Sequence, residues 1–171
     1  TGPRRPVPVL AEKNVFTLTA FMGIVRAGCF YVFLDAGQPA ERLNRILDTL
    51  QADLMIADKE SLSLAGPVSF SGEILPLEDL MSLPDDALNP GLLAFIRRQS
   101  TDTDPLYGIF TSGSTGVPKG VVASHRSVID FIGHFTDLFH ITQDDIIGNQ
   151  APFDFDVSVK DIYSALKTGA T

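Results

Sequence analysis

The segment Thr111-Ser112-Gly113-Ser114-Thr115-Gly116-Val117-Pro118-Lys119-Gly120 places four hydroxyl side chains, three glycines and one lysine within ten residues. Glycine lets backbone N–H groups approach an anion closely, hydroxyls add donors, and lysine adds a full positive charge. Together they supply what the oxygens of a triphosphate or pyrophosphate require. A polar hairpin loop would also use Gly and Ser, but it has no need of so many hydroxyls closed by Pro-Lys-Gly. The segment differs from a Walker P-loop, which ends in Gly-Lys-Ser/Thr and runs straight into a helix. Here Pro118 precedes Lys119, and Gly120 leads into Val121-Val122. The pattern predicts a loop that joins strand to strand, with no helix dipole facing the phosphates. It also predicts a mobile loop in the absence of nucleotide, because nothing else neutralises its donors.

Asp154 and Asp156 are the second candidates. In an extended segment they would project to one side, opposite Phe153, Phe155 and Val157. Three readings compete: a site for a substrate ammonium, a magnesium site, or a solvated face. Spacing alone favours the solvated face. His125, His134 and His140 are nine and six residues apart, which is no zinc spacing, and no cysteine pair assists them. A capping or packing role is the simpler reading of His125. Cys29, in the small apolar stretch Ala27-Gly28-Cys29-Phe30, reads as a buried, inert thiol. No residue stands out as a catalytic acid or base.

The elements that must hold these groups alternate along the chain. Val7 to Ala11 is a short apolar run. Val15, Leu18, Phe21, Met22 and Val25 recur at helical spacing, and Gly28 supplies a stop. Phe30 to Leu34 is a second apolar run. Pro39 opens an amphipathic helix with Leu43, Ile46, Leu47 and Leu50 on one face, and Glu41, Arg42, Arg45 and Asp48 on the other. Leu54 to Ala57 is a third strand. Strand and helix alternating at this spacing imply βαβ units and a parallel sheet, an α/β fold.

Residues 58–104 carry Gly66-Pro67, Gly72, Pro76, Pro84 and Asn89-Pro90-Gly91, which predicts short strands and turns, with a mobile stretch near Arg97 to Asp104. Leu106 to Phe110 and Gly120 to Ala123 are strand-like and flank the loop. Ser124 can cap a long helix through Val128, Ile132, Phe135 and Phe139. Phe153 to Ser158 is extended or turn-like, and Val159, Ile162, Tyr163 and Leu166 suggest a last helix.

A chain of 171 residues with 44% hydrophobic content can bury a core as one compact domain or a large piece of one. The net charge of −8 argues against non-specific binding to nucleic acid or to an anionic membrane. A local cluster of donors can still hold phosphate on an acidic protein. The single cysteine allows no internal disulfide. No apolar run reaches the roughly 18 residues of a membrane helix, and no signal-like segment opens the chain. The expected compartment is the cytoplasm. Lys167-Thr168-Gly169-Ala170-Thr171 follows a helix-like run with a Gly-containing turn, which usually leads to another element. The chain is therefore expected to be a fragment.

Phe110 to Gly120 resembles the signature phosphate loop of the adenylate-forming superfamily, which includes acyl-CoA synthetases, luciferases and the adenylation domains of non-ribosomal peptide synthetases. Val25-Arg26-Ala27-Gly28-Cys29-Phe30-Tyr31-Val32-Phe33-Leu34-Asp35 resembles an earlier motif of that superfamily. Phe155-Asp156-Val157-Ser158 resembles the Phe-Asp-x-Ser motif of its amino-acid-activating members. The three occur in family order and span essentially the whole chain. Asn149 to Asp156 is especially similar to the D-alanine–carrier protein ligases. Phe33 stands where the family usually has proline, Phe110 where it has tyrosine, and Asp154 adds a second carboxylate.

The resemblance implies that residues 1–171 are part of the N-terminal, AMP-binding adenylation domain, with the C-terminal lid domain and its catalytic lysine elsewhere. It implies that Thr111, Ser112, Gly113, Ser114, Thr115, Gly116 and Lys119 bind the phosphates of ATP, and that Asp156 pairs with the α-ammonium of an amino-acid substrate. Asp154 keeps the surface reading. The main ligand of Mg2+ is expected outside these residues. The implied activity is that of an ATP-dependent ligase forming an aminoacyl-adenylate for a carrier-protein thiol, the fragment alone being inactive. An acyl- or aryl-CoA synthetase, or a non-catalytic nucleotide-binding module, stays open as an alternative.

Overall fold

The computed structural model describes residues 2–84, 87–111 and 118–171. Its elements run β1 (Pro6–Leu10), α1 (Val15–Arg26), β2 (Phe30–Leu34), α2 (Ala40–Leu50), β3 (Leu54–Ala57), α3 (Lys59–Leu64), β4 (Glu73–Pro76), α4 (Leu77–Met81), α5 (Pro90–Gln99), β5 (Pro105–Thr111), β6 (Lys119–Ser124), α6 (His125–Leu138) and α7 (Asp156–Thr168). Six strands form one sheet in the order β4-β3-β1-β2-β5-β6. The pairings are parallel except for β5 with β6. This is the expected α/β class with a mainly parallel sheet.

Every residue of β2 is buried, as a strand covered on both faces requires. Tyr31 and Phe33 pack with Ala20, Phe21 and Ile24 of α1 on one face. Phe30, Val32 and Leu34 pack with Leu43, Ile46 and Leu47 of α2 on the other. Asn14 starts α1 by accepting from the amides of Phe16 at 2.9 Å and Thr17 at 3.0 Å. Gly28 stops it at φ +74°, where a Cβ would lie 2.8 Å from the Ile96 side chain. Cys29 is buried there, and burial pushes its thiol pKa up.

Residues 58–104 are more helical than the sequence suggested. The Asn-Pro-Gly run is a helix start rather than a turn. Asn89 accepts from the Leu92 amide at 3.0 Å, and Pro90 occupies the first helical position, where its missing N–H is harmless. The stretch expected to be mobile is tied down. Arg97 to Gln99 complete α5. Asp104 accepts from the Thr101 amide at 3.0 Å and from Arg4 Nε at 2.7 Å. The Arg4 and Thr101 hydrogen bonds hold the Asp104 carboxyl down at about 2.

At the β3/β4 edge, a Cβ on Gly72 would lie 2.5 Å from the Asp53 carbonyl oxygen and 2.7 Å from the Phe70 ring. That same carbonyl accepts from the Glu73 amide at 2.9 Å to begin the β4 pairing. Gly72→Ala should therefore overpack the edge and lower stability by about 1–3 kcal/mol. Ser71→Ala next to it should stay within about 0.5 kcal/mol. Urea denaturation of both variants in the intact protein checks this. Equal midpoints would show that the edge has room.

The chain leaves β2 through α2 towards β3, and leaves β5 for β6 on the opposite side. Between two adjacent parallel strands, diverging connections open a crevice at the carboxyl ends, where ligands bind in open α/β sheets.

Candidate functional site

β5 and β6 bring the ends of the glycine-rich segment to that crevice. Their register pairs Ile109 with Val121, Phe110 with Gly120, and Thr111 with Lys119. Thr111 and Lys119 thus face each other at the end of two antiparallel strands, and Thr111 Oγ1 donates to the Lys119 carbonyl at 3.4 Å. The flanking strands are the predicted ones, and Lys119 opens a strand rather than a helix. Ser112, Gly113, Ser114, Thr115 and Gly116 lie outside the described residues, as does the expected mobility of their loop. The Phe110 ring covers Gly120 so closely that a Cβ there would lie 3.0 Å from it.

The two aspartates do not share one face of an extended segment. Residues 152–155 form a turn, and Asp156 is the first residue of α7. An acidic residue in the first turn interacts favourably with the helix dipole. The turn is anchored by Phe153, which is buried against Phe21 and Phe33 with ring centroids 5.5 Å away in each case. Phe33 thus supplies one of the two rings that seat Phe153.

Asp154 is not on the surface as expected. It is half-buried, and its Oδ2 accepts from Gln38 Nε2 at 2.8 Å. Its Oδ1 is buried and has no partner among the described residues. Burial raises its pKa, with the charge of Asp35 adding to the effect. The alternating pattern misled because it assumed a strand where the chain turns.

Asp154, Asp156 and Thr111 line one cavity of about 430 Å³, together with Gln38, Arg42 and Tyr107. Burial raises the Tyr107 pKa, and the nearby Asp156 charge raises it further. Behind Tyr107, the Tyr31 and Tyr163 hydroxyls are 3.4 Å apart. Burial pushes Tyr163 up to about 12 and Tyr31 well above its ordinary value, so both stay neutral packing groups at neutral pH.

Three side chains at the site were not evident in the sequence. Lys13 Nζ donates to the carbonyls of Asn149 at 2.6 Å and Ala151 at 2.8 Å, and lies 5.4 Å from the centroid of the Phe153 ring. It fastens the β1–α1 connection to the segment that leads into the aspartate turn. Arg42, assigned by periodicity to the polar face of α2, instead reaches Gln38 Oε1 at 2.7 Å and the Phe110 carbonyl at 3.1 Å. Gln38 completes the link to Asp154. These partners lie up to 138 residues away in sequence, and nothing local to Lys13 or Gln38 announces them.

His125 begins α6 at the other end of the hairpin, next to Pro105 and Asp104. Six residue steps along β5 separate that end from Thr111, roughly 20 Å at strand rise. Burial lowers the His125 pKa, partly offset by Asp104. A larger cavity of about 720 Å³ lies there, lined by His125, Arg26 and Arg97. It is remote from Asp154 and Asp156. Arg126 binds both oxygens of Asp102 at 2.8 Å, an exposed pairing that fixes the helix start. Among the described residues no three His, Cys, Asp or Glu side chains come together as a metal site. That donor set does not fit a magnesium ion. No helix of the described residues is long and apolar enough to cross a membrane.

The sequence pattern of the family described as AMP-binding enzyme matches residues 1–171. Tyrocidine synthase 1 of Brevibacillus parabrevis is 32% identical over 165 residues, covering 96% of this chain and 15% of that protein. The D-alanine–D-alanyl carrier protein ligase of Staphylococcus aureus (strain MRSA252) is 32% identical over 172 residues, covering 99% of this chain and 33% of that one. The AMPPNP-bound form of the nonribosomal peptide synthetase FmoA3 superposes with a TM-score of 0.83 at 28% identity, covering 100% of this chain and 17% of that chain. The chain thus spans a third or less of the length of each of these proteins.

Proposed function

The chain belongs to the AMP-binding enzyme family, and from that premise we propose that it is part of an amino-acid-activating ligase. It forms an aminoacyl-adenylate from ATP, for transfer to the phosphopantetheine thiol of a carrier protein. Residues 1–171 belong to its N-terminal adenylation domain, and the C-terminal lid domain lies outside them. The observation that carries this reading is that Thr111, at the root of the donor-rich loop, and Asp156 line the same cavity. Nucleotide phosphate and a cationic substrate group would meet there.

In the reaction, a carboxylate oxygen of the amino acid attacks the α-phosphorus of ATP. The bond from that phosphorus to the bridging oxygen breaks, and pyrophosphate leaves with the bonding pair. Such catalysis is mostly positioning and stabilisation of developing charge. The backbone and hydroxyl donors of Thr111, Ser112, Gly113, Ser114, Thr115 and Gly116 hold the departing phosphates, and Lys119 offsets their growing charge. Asp156 takes the α-ammonium in a charge-assisted hydrogen bond. It rejects acids that lack the amine, because they leave its carboxylate unpaired. The acyl- or aryl-CoA synthetase alternative gives Asp156 no cation to meet. Both relatives at 32% identity bear names consistent with this reading, a peptide synthase and a carrier-protein ligase. ATP–pyrophosphate exchange by the intact protein, with an amino acid and with its deamino analogue, is the test.

A further inference from the structure

Asp154, Gln38 and Arg42 form an unbroken chain of hydrogen bonds. Asp154 Oδ2 accepts from Gln38 Nε2 at 2.8 Å, Gln38 Oε1 accepts from Arg42 Nε at 2.7 Å, and Arg42 donates through a terminal nitrogen to the Phe110 carbonyl at 3.1 Å. The chain is directional. An amide side chain offers one donor end and one acceptor end, and Gln38 uses one towards each charged partner. It starts on the turn that carries Asp156. It ends one residue before Thr111, at the root of the phosphate loop. A half-buried carboxylate with one oxygen lacking a partner among the described residues is a costly arrangement unless something requires it.

We propose that Asp154–Gln38–Arg42 is a positioning relay that fixes the strand end at Phe110 relative to the substrate turn, so that Asp154 controls how the phosphate loop meets ATP. The proposal rests on the loop and Asp156 serving one site as read above. The relay gives Asp154 an indirect role, since its Oδ2 is held by Gln38. Its effect passes through Gln38 and Arg42, and it should therefore appear in nucleotide affinity rather than in recognition of the amine.

Binding of a fluorescent ATP analogue to the intact protein, without amino acid, isolates that effect. Asp154→Ala and Arg42→Met should each weaken binding about tenfold, the loss of a hydrogen bond to a charged group. The double variant should fall no further than the weaker single, as members of one chain do. Asp154→Asn keeps an oxygen for Gln38 and should bind within about twofold of the wild type, which separates the relay from a general loss of fold. Additive losses, or unchanged affinity in Asp154→Ala, would overturn the relay while leaving the proposed function intact. Absence of binding by the wild type would overturn the functional reading and the relay with it.

Discussion

Replacing Lys119 by Ala in the intact protein should lower kcat/KM for ATP–pyrophosphate exchange by about a hundredfold, the scale of removing one preorganised stabiliser of developing charge. The expectation comes from where the loop sits. A P-loop shares the work between its lysine and a helix dipole, but here Lys119 begins a strand paired to Thr111. The next helix, α6, starts only at His125, at the far end of β6, and its terminus cannot compensate. Arg42, the other cation near the hairpin mouth, already binds Gln38 and the Phe110 carbonyl. The Lys119 ammonium makes no ion pair with any described residue. Lys119→Arg keeps the charge and should recover part of the loss. A change of less than about threefold in Lys119→Ala would remove Lys119 from the mechanism.

Asp156→Ala should reduce amino-acid activation at least about tenfold, since hydrogen bonds to charged groups contribute roughly 1.5–3 kcal/mol. The loss should be much smaller for the matching acid without its amine, because that substrate never uses the carboxylate. The exposure of Asp156 at the head of α7, on the cavity that Thr111 also lines, suits a side chain waiting for a ligand cation. Asp154→Ala should leave the ratio between the two substrates unchanged, because Asp154 turns towards Gln38. Rate measurements with both acids distinguish the cases. Equal penalties on both substrates would make Asp156 structural. A selective loss in Asp154→Ala would move the ammonium site to that residue.

The fold was legible where one local pattern dominated. β2 and β3 match the apolar runs Phe30 to Leu34 and Leu54 to Ala57, because strands buried on both faces need unbroken apolar sequence. The two strands that flank the glycine-rich segment followed from the apolar run before it and the β-branched residues after Gly120. Legibility failed where one residue type serves two local structures. Asn89-Pro90-Gly91 reads as a turn but caps α5. The Asp154-to-Asp156 alternation reads as a strand but is a turn entering a helix. It failed again where the partner is remote. Arg42 sits in register with the solvent-facing residues of α2, and only the arrival of β5 beside α2 gives it Phe110 as an acceptor. Lys13 shows the same limit, since its acceptors are backbone carbonyls that any sequence would offer.

The proposed role of this chain is in the activation of an amino acid by ATP. Its most direct measurement is ATP–pyrophosphate exchange by the intact protein across a panel of amino acids, each run beside its deamino analogue. At least one amino acid should support exchange, and its analogue should be slower by about tenfold or more, the penalty of an unpaired carboxylate at Asp156. Exchange that favours the deamino acid would contradict the claim and make the protein an acyl-activating enzyme of another kind.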